Sequence, residues 1–183
     1  MKRLQSILTM LMIAISAATL TGCDDDENIA YNLEGVWEGD MYMQSRYNGR
    51  VYKASYSVLA FDKNPYRYAQ GTGYWIDYYS NAPWDYYSSR IEWRVRNERI
   101  EILSVKENRY YYISDYYMDG GYFNGYISDG DRTQHFRLRK TASPNWNDYD
   151  WNGYDFDYDY YYAPALKKAS AGTPSMPERE VAE

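Results

Sequence analysis

Cysteine and histidine are almost absent from this chain, with one of each, Cys23 and His135. A lone cysteine excludes an intramolecular disulfide. A lone histidine excludes a multi-histidine zinc site and leaves Ser–His–Asp and Cys–His catalysis poorly supplied. No basic block occurs. Lys and Arg number 20 against 26 Asp and Glu, a net charge of −6, which argues against nucleic-acid binding. Phenylalanine is scarce (4 residues), and strong helix-forming runs are missing after residue 30. What is abundant is tyrosine, 25 residues, alongside 6 Trp. Tyrosine favours strands and brings contact area while keeping a polar tip. The class this composition predicts is all-β.

The first residues read as a targeting segment. Lys2 and Arg3 precede an apolar stretch, Ile7 to Leu20, which ends in Leu20-Thr21-Gly22-Cys23. A charged start, an apolar middle and a small-residue exit form a secretory signal. The stretch is short for a membrane span, which needs ~20 apolar residues. Leu-Thr-Gly-Cys resembles the lipobox of bacterial lipoproteins. That resemblance implies a signal peptide over residues 1–22, cleavage before Cys23, and acylation of Cys23 as a membrane anchor. Asp24, Asp25, Asp26 and Glu27 follow. They read as an acidic spacer over 23–32, and they resemble the surface-export signal of Bacteroidetes-type lipoproteins. The implied location is the cell envelope, lipid-anchored at the outer membrane and surface-exposed.

Residues 33–140 carry the domain and are nearly neutral. The alternation in Arg90 to Arg96 is the cleanest strand, with Ile91, Trp93 and Val95 on one face and Arg90, Glu92, Arg94 and Arg96 on the other. Seven further strands are predicted: 36–43, 51–61, 66–79, 99–105, 109–117, 122–127 and 133–140. Asn48-Gly49, Asp62-Lys63-Asn64-Pro65, Asn97-Glu98, Asp119-Gly120-Gly121 and Asp129-Gly130 supply turn chemistry between them. Gly71 and Gly73 suggest a bend or bulge, and the changed phase at Leu103 and Val105 suggests a bulge near Ile102. Eight meandering strands can close into an antiparallel up-and-down barrel. An open β-sandwich of the same strands is the alternative.

Leu33-Glu34-Gly35-Val36-Trp37 resembles the Gly-x-Trp opening of lipocalin-like proteins. Val58-Leu59-Ala60-Phe61, Gly71-Thr72-Gly73-Tyr74-Trp75, Ile91-Glu92-Trp93-Arg94-Val95, Tyr116 through Gly125 and Phe136-Arg137-Leu138 follow in the order of lipocalin-like lipoproteins of Bacteroidetes. The resemblance implies a lipocalin-like barrel over 33–140. The domain is shorter than a full lipocalin, and no helix is evident before its last strand.

After Lys140 the composition changes. Residues 141–183 read as an Asp/Tyr-rich, low-complexity and disordered tail. Asp148, Asp150, Asn152 and Asp159 lie at the spacing of oxygen ligands in a twelve-residue Ca²⁺ loop, with Gly153 at the turn. The segment lacks flanking helices and is so rich in Asp that chance matches are easy, which favours a disordered acidic-aromatic tail over the Ca²⁺ loop. Apart from that Ca²⁺ site, no cofactor is implied. Glu92 and Glu101 alternate with arginines and read as members of cross-strand ion pairs.

Tyr78, Tyr79, Trp84, Tyr86 and Tyr87 surround Asn81-Ala82-Pro83. Loop rings on a rigid sheet can stack on a sugar or anchor a protein, or they can simply cover a barrel end. The expected function is non-catalytic binding of a small apolar molecule or glycan. The alternative is a structural or interaction subunit of an envelope complex, with Ca²⁺ in the tail. An apolar cavity inside the barrel would favour the first, and a filled barrel the second.

Overall fold

Strand alternation decides the architecture, because every residue of one phase must find a common interior. The computed structural model describes residues 21–149, 151 and 177–182, with side chains from Asp25 onward. A helix, α1 (Thr21–Leu33), precedes strands β1 (Gly35–Asp40), β2 (Met43–Tyr47), β3 (Arg50–Lys53), β4 (Tyr56–Lys63), β5 (Gln70–Tyr78) and β6 (Tyr86–Arg96). Then come β7 (Arg99–Ser104), β8 (Arg109–Asp119), β9 (Tyr122–Ser128), β10 (Thr133–Thr141), a 3₁₀ turn (Trp146–Asp148) and β11 (Glu178–Val181). Eight of these strands form a closed antiparallel barrel in the order β1-β10-β9-β8-β7-β6-β5-β4. β1 pairs with both β10 and β4, so the barrel has no open edge and the open sandwich is excluded.

The remaining strands make a small separate sheet, β11-β2-β3. The predicted strand 36–43 therefore divides. At Asp40 the chain leaves the barrel, with Tyr42 at φ 53° and its amide donated to Asp40 Oδ1. Asn48 and Gly49, at φ 49° and 74°, close the β2–β3 hairpin as left-handed turn residues. That hairpin is an excursion, and its turn does not join two barrel strands. The chain rejoins the barrel at Tyr56, so the predicted strand 51–61 is also two strands.

Two predicted irregularities are corrected. β7 pairs in unbroken register with β6 and β8, so Leu103 and Val105 simply occupy the outward phase. The register shift lies in β8 between Ser114 and Tyr117, where Asp115 has φ 47°. Gly125 faces it, and a Cβ there would meet the Tyr116 Cβ at 2.6 Å. Gly71 and Gly73 sit in a regular β4–β5 ladder and are sites of close backbone approach, not of a bulge.

The acidic segment is also different from the spacer predicted. It is helical, and α1 lays Ala30 and Leu33 across one barrel end, both fully buried. Trp37 Nε1 donates to Leu33 O, which ties the helix to β1. Asp26 accepts the amides of Asn97 and Glu98, so one member of the acidic run caps the β6–β7 hairpin. The reason is geometric: those two residues have φ 51° and 60°, and their turn leaves both amides pointing outward together.

Candidate functional site

The barrel interior is filled by its own side chains. Trp37, Phe61, Trp75, Trp93, Phe123 and Phe136 interdigitate with the inward Leu, Ile and Val residues. Phe123 packs edge-on against both Trp37 and Phe136, at 5.5 and 5.0 Å between centroids. A surface depression of about 460 Å³ is lined by Arg67, Glu92, Arg94, Glu101 and neighbours on the outer wall. Glu101 there accepts from Arg94 across the β6–β7 ladder at 2.5 Å, as the cross-strand pairing predicts, and from Arg99 of its own strand at 2.7 Å.

The unusual chemistry lies at the end opposite α1. β5 places Trp75 and Asp77 on its inward phase, with buried Tyr79 just beyond its end, so Asp77 enters the barrel by simple alternation. Its carboxylate is fully buried. Oδ1 accepts from Ser57 Oγ at 2.6 Å and from Trp75 Nε1 at 2.9 Å. Oδ2 accepts from Arg179 Nε at 2.6 Å. Arg179 comes from β11, is equally buried, and donates from Nη2 to Tyr87 O at 3.1 Å. Its Nη1 is 3.6 Å from Glu107 Oε2. The guanidinium lies over the rings of Trp75 and Tyr87, at 4.4 and 4.7 Å. Burial opposes its charge, but Asp77 and Glu107 outweigh burial and raise its pKa. Burial lifts the Asp77 carboxyl above the usual carboxylate range, against the pull of Arg179, Ser57 and Trp75.

A second tier holds the backbone of the same segment. Asp129 Oδ1 accepts the amides of Asp131 and Arg132, and Oδ2 accepts Val181 N at 3.0 Å. Arg109 stands 3.3 Å from that Oδ2. Arg179 O accepts from Tyr111 OH and from Arg109 Nη1. Glu180 binds Gln44, Arg46 and Arg132 at the rim. The end of the supposed disordered tail is thus an ordered strand. Pairing with β2 and a dedicated charge partner supply what its local sequence lacks. Only Pro177–Ala182 of that part is described.

Burial would raise both Asp129 and Glu180. At Asp129 the amides of Val181, Arg132 and Asp131, with Arg109, outweigh burial and hold the carboxyl below its ordinary value. At Glu180, Arg132, Gln44 and Arg46 do the same. Depressed folded values mean that these two groups stabilise the docked strand above about pH 4 and lose that contribution as pH falls further. Asp77, lifted by burial, contributes with the opposite sign. We expect the Val181 amide resonance to hold its position from pH 7 to 5 and move as pH falls below about 4. A resonance unchanged down to pH 3 in a folded barrel would contradict this.

The five ring residues do not form one open surface. Tyr79, Trp84 and Tyr87 are buried at 6%, 3% and 1% exposure. Trp84 packs edge-on against Tyr47, Tyr52 and Tyr79 under the β2–β3 hairpin. Covering the barrel end is therefore the role of these three. Tyr78 and Tyr86 face the outer wall beneath Tyr149, with the Tyr78 and Tyr149 hydroxyls 2.5 Å apart. Tyr149 belongs to a second cluster. Trp146, Tyr149 and Trp151 cover Val36, Val58, Ala60 and Ile76, the outward apolar residues of β1, β4 and β5. The start of the predicted disordered tail is packed, because this wall is apolar on both faces and needs a cover.

Of the Ca²⁺ loop, Asp148 is exposed and accepts from Asn145 Nδ2, while Asp150, Asn152 and Asp159 lie outside the described residues. Among the described residues no group of three or more His, Cys, Asp and Glu could hold a metal ion. His135 faces outward and packs edge-on against Tyr126 at 5.2 Å. Cys23 lies within α1, and residues 1–20 of the signal segment are outside the described residues.

The class defined by these features is a closed eight-stranded antiparallel barrel, filled inside and plugged at both ends. No family model, curated protein or solved structure matches the chain. The Asp77–Arg179 pair escaped sequence reading, although one signal for it existed. An aspartate at the inward phase of Tyr74-Trp75-Ile76-Asp77-Tyr78-Tyr79 demands a buried cationic partner.

Proposed function

We propose that this is a lipid-anchored, non-catalytic envelope protein that engages an envelope protein partner through its outer surface and ends. The filled interior carries that reading, because it leaves no room for a small apolar ligand. Anchoring rests on the Leu20-Thr21-Gly22-Cys23 run. An acylated Cys23 sets the α1 end toward the membrane and the Arg179 end away from it.

Cys23→Ala is expected to abolish palmitate labelling and release the protein from membranes, since stable anchoring needs more than one buried acyl chain. A variant still membrane-bound after a carbonate wash would overturn the anchor. A long-chain fatty acid titrated into the mature protein is expected to give no saturable binding. Micromolar uptake into the barrel would overturn the reading of the interior.

A glycan is the second reading, favoured by one trough of about 440 Å³ on the outer wall. Tyr56, stacked on Tyr78 at 4.4 Å, and Tyr122, beneath Arg137 at 4.2 Å, flank it. Glu38 and Arg139, which pair with each other, supply polar groups beside the rings. Flat rings with a guanidinium and a carboxylate between them suit a sugar face and its hydroxyls.

A further inference from the structure

The ladder of the eight-stranded barrel does not include β11, and β2 and β3 pair directly with each other. Yet the barrel end is built around what β11 brings. Asp77 and Glu107 aim carboxylates at one point, and Trp75 and Tyr87 offer ring faces to the same point. A planar cation with several donors is the group that satisfies both, and Arg179 fills the place. Beside it, Val181 is buried and Glu178 points to solvent, the alternation of a strand read on one face.

The backbone is read as closely as the side chains. Glu178 to Val181 pair in register with Arg46 to Met43 of β2. Asp129 takes the Val181 amide, Arg132 donates to Val181 O, and Tyr111 donates to Arg179 O. Ala182 N donates to Tyr42 O, and Gln134 donates to Ala182 O. β11 pairs with β2 alone, at the edge of a small sheet. Main-chain pairing at a sheet edge, with deep anchors at alternate side chains, is how proteins bind extended peptides.

We propose that this barrel end is a binding site for an arginine-bearing extended peptide, that Pro177–Ala182 is its resident ligand, and that it accepts the same segment from a second copy of this chain. Asp77 and Glu107 select the guanidinium, Asp129 and Tyr111 fix the register, and β2 supplies the template strand. The chain's own segment holds the site by its high effective concentration, and a second copy competes for it where the protein is crowded.

The test uses the full mature chain with a specific protease site placed within 165–171, folded intact, then cut and dialysed to remove the released segment. A fluorescein-labelled peptide of residues 174–183 is added and followed by anisotropy, with far-UV circular dichroism to report the barrel. The expected result is saturable binding to the cut protein and at least ~10-fold weaker binding to the uncut one, whose site is occupied. Peptides carrying Arg179→Ala or Arg179→Lys are expected to compete at least ~10-fold less well, because neither offers the planar fork. Three results would overturn the proposal. The cut protein could keep its barrel yet bind no peptide, the Arg179→Ala peptide could bind as well as the native one, or loss of the segment could unfold the barrel.

Discussion

Arg179→Ala is expected to cost about 3–5 kcal/mol, the penalty for leaving a buried charge without its partner. Among the described residues, the substitution removes the one cation on Asp77 Oδ2 and leaves that carboxylate buried, with hydrogen bonds from Ser57 and Trp75. It also removes the group that lies over Trp75 and Tyr87. For a chain of this length the loss corresponds to a fall in Tm of about 10 °C. The pair itself is a weaker source of stability than its breakage suggests, since buried ion pairs are costly to desolvate. The double variant Asp77→Asn with Arg179→Met is therefore expected to recover more than half of the loss. Asparagine keeps an acceptor for Ser57 and Trp75, and methionine keeps contact with the two rings. Urea unfolding of Asp77→Asn, Arg179→Met and the double variant gives the cycle directly, with Arg179→Ala measured alongside. A loss below about 1 kcal/mol for Arg179→Ala would show that the strand carries no such charge dependence.

Gly73→Ala is the second large effect. A Cβ at Gly73 would lie 1.8 Å from Ala60 O, and one at Gly71 1.9 Å from Asp62 O. The obstacle in both cases is backbone of the paired strand, which cannot rotate away. β4 and β5 must separate, and the ladder from Tyr56↔Tyr78 to Lys63↔Gly71 loses hydrogen bonds there. We expect a cost of about 3 kcal/mol or more, at the upper end of overpacking effects. Gly120→Ala is the control. Gly120 has a left-handed φ of 56° but open space around it, so its expected cost is only about 1 kcal/mol. Equal losses in thermal unfolding would refute close approach as the reason for Gly73.

These predictions rest on two different kinds of information. The strand cores were legible because alternation is local. Ile91, Trp93 and Val95 point inward as read, and Phe136 and Leu138 do the same on β10. The turn at Asn48-Gly49 was also legible from its residues, but the role of its hairpin was not. Whether a strand continues through Asp40-Met41-Tyr42 depends on space in the barrel, and the sequence there reads as one alternating run. The rings at Tyr79, Trp84 and Tyr87 look alike whether they bind a ligand or cover a barrel end. Only the β2–β3 hairpin lying over them decides that they are buried.

By itself the sequence determined an all-β chain with eight strands in a meander, a neutral body between acidic flanks, and a lipobox-like run at Cys23. Each of these is written in neighbouring residues, through alternation, composition or contiguous spacing. Tertiary structure alone decided that the acidic segment forms a helix over one end, that Trp146, Tyr149 and Trp151 cover the outer wall, and that Arg179 closes the other end. Arg179 and Asp77 are 102 positions apart. No local pattern links them, and what joins them is the need of a buried carboxylate for a cation, met by β11, whose backbone Asp129 and Tyr111 hold.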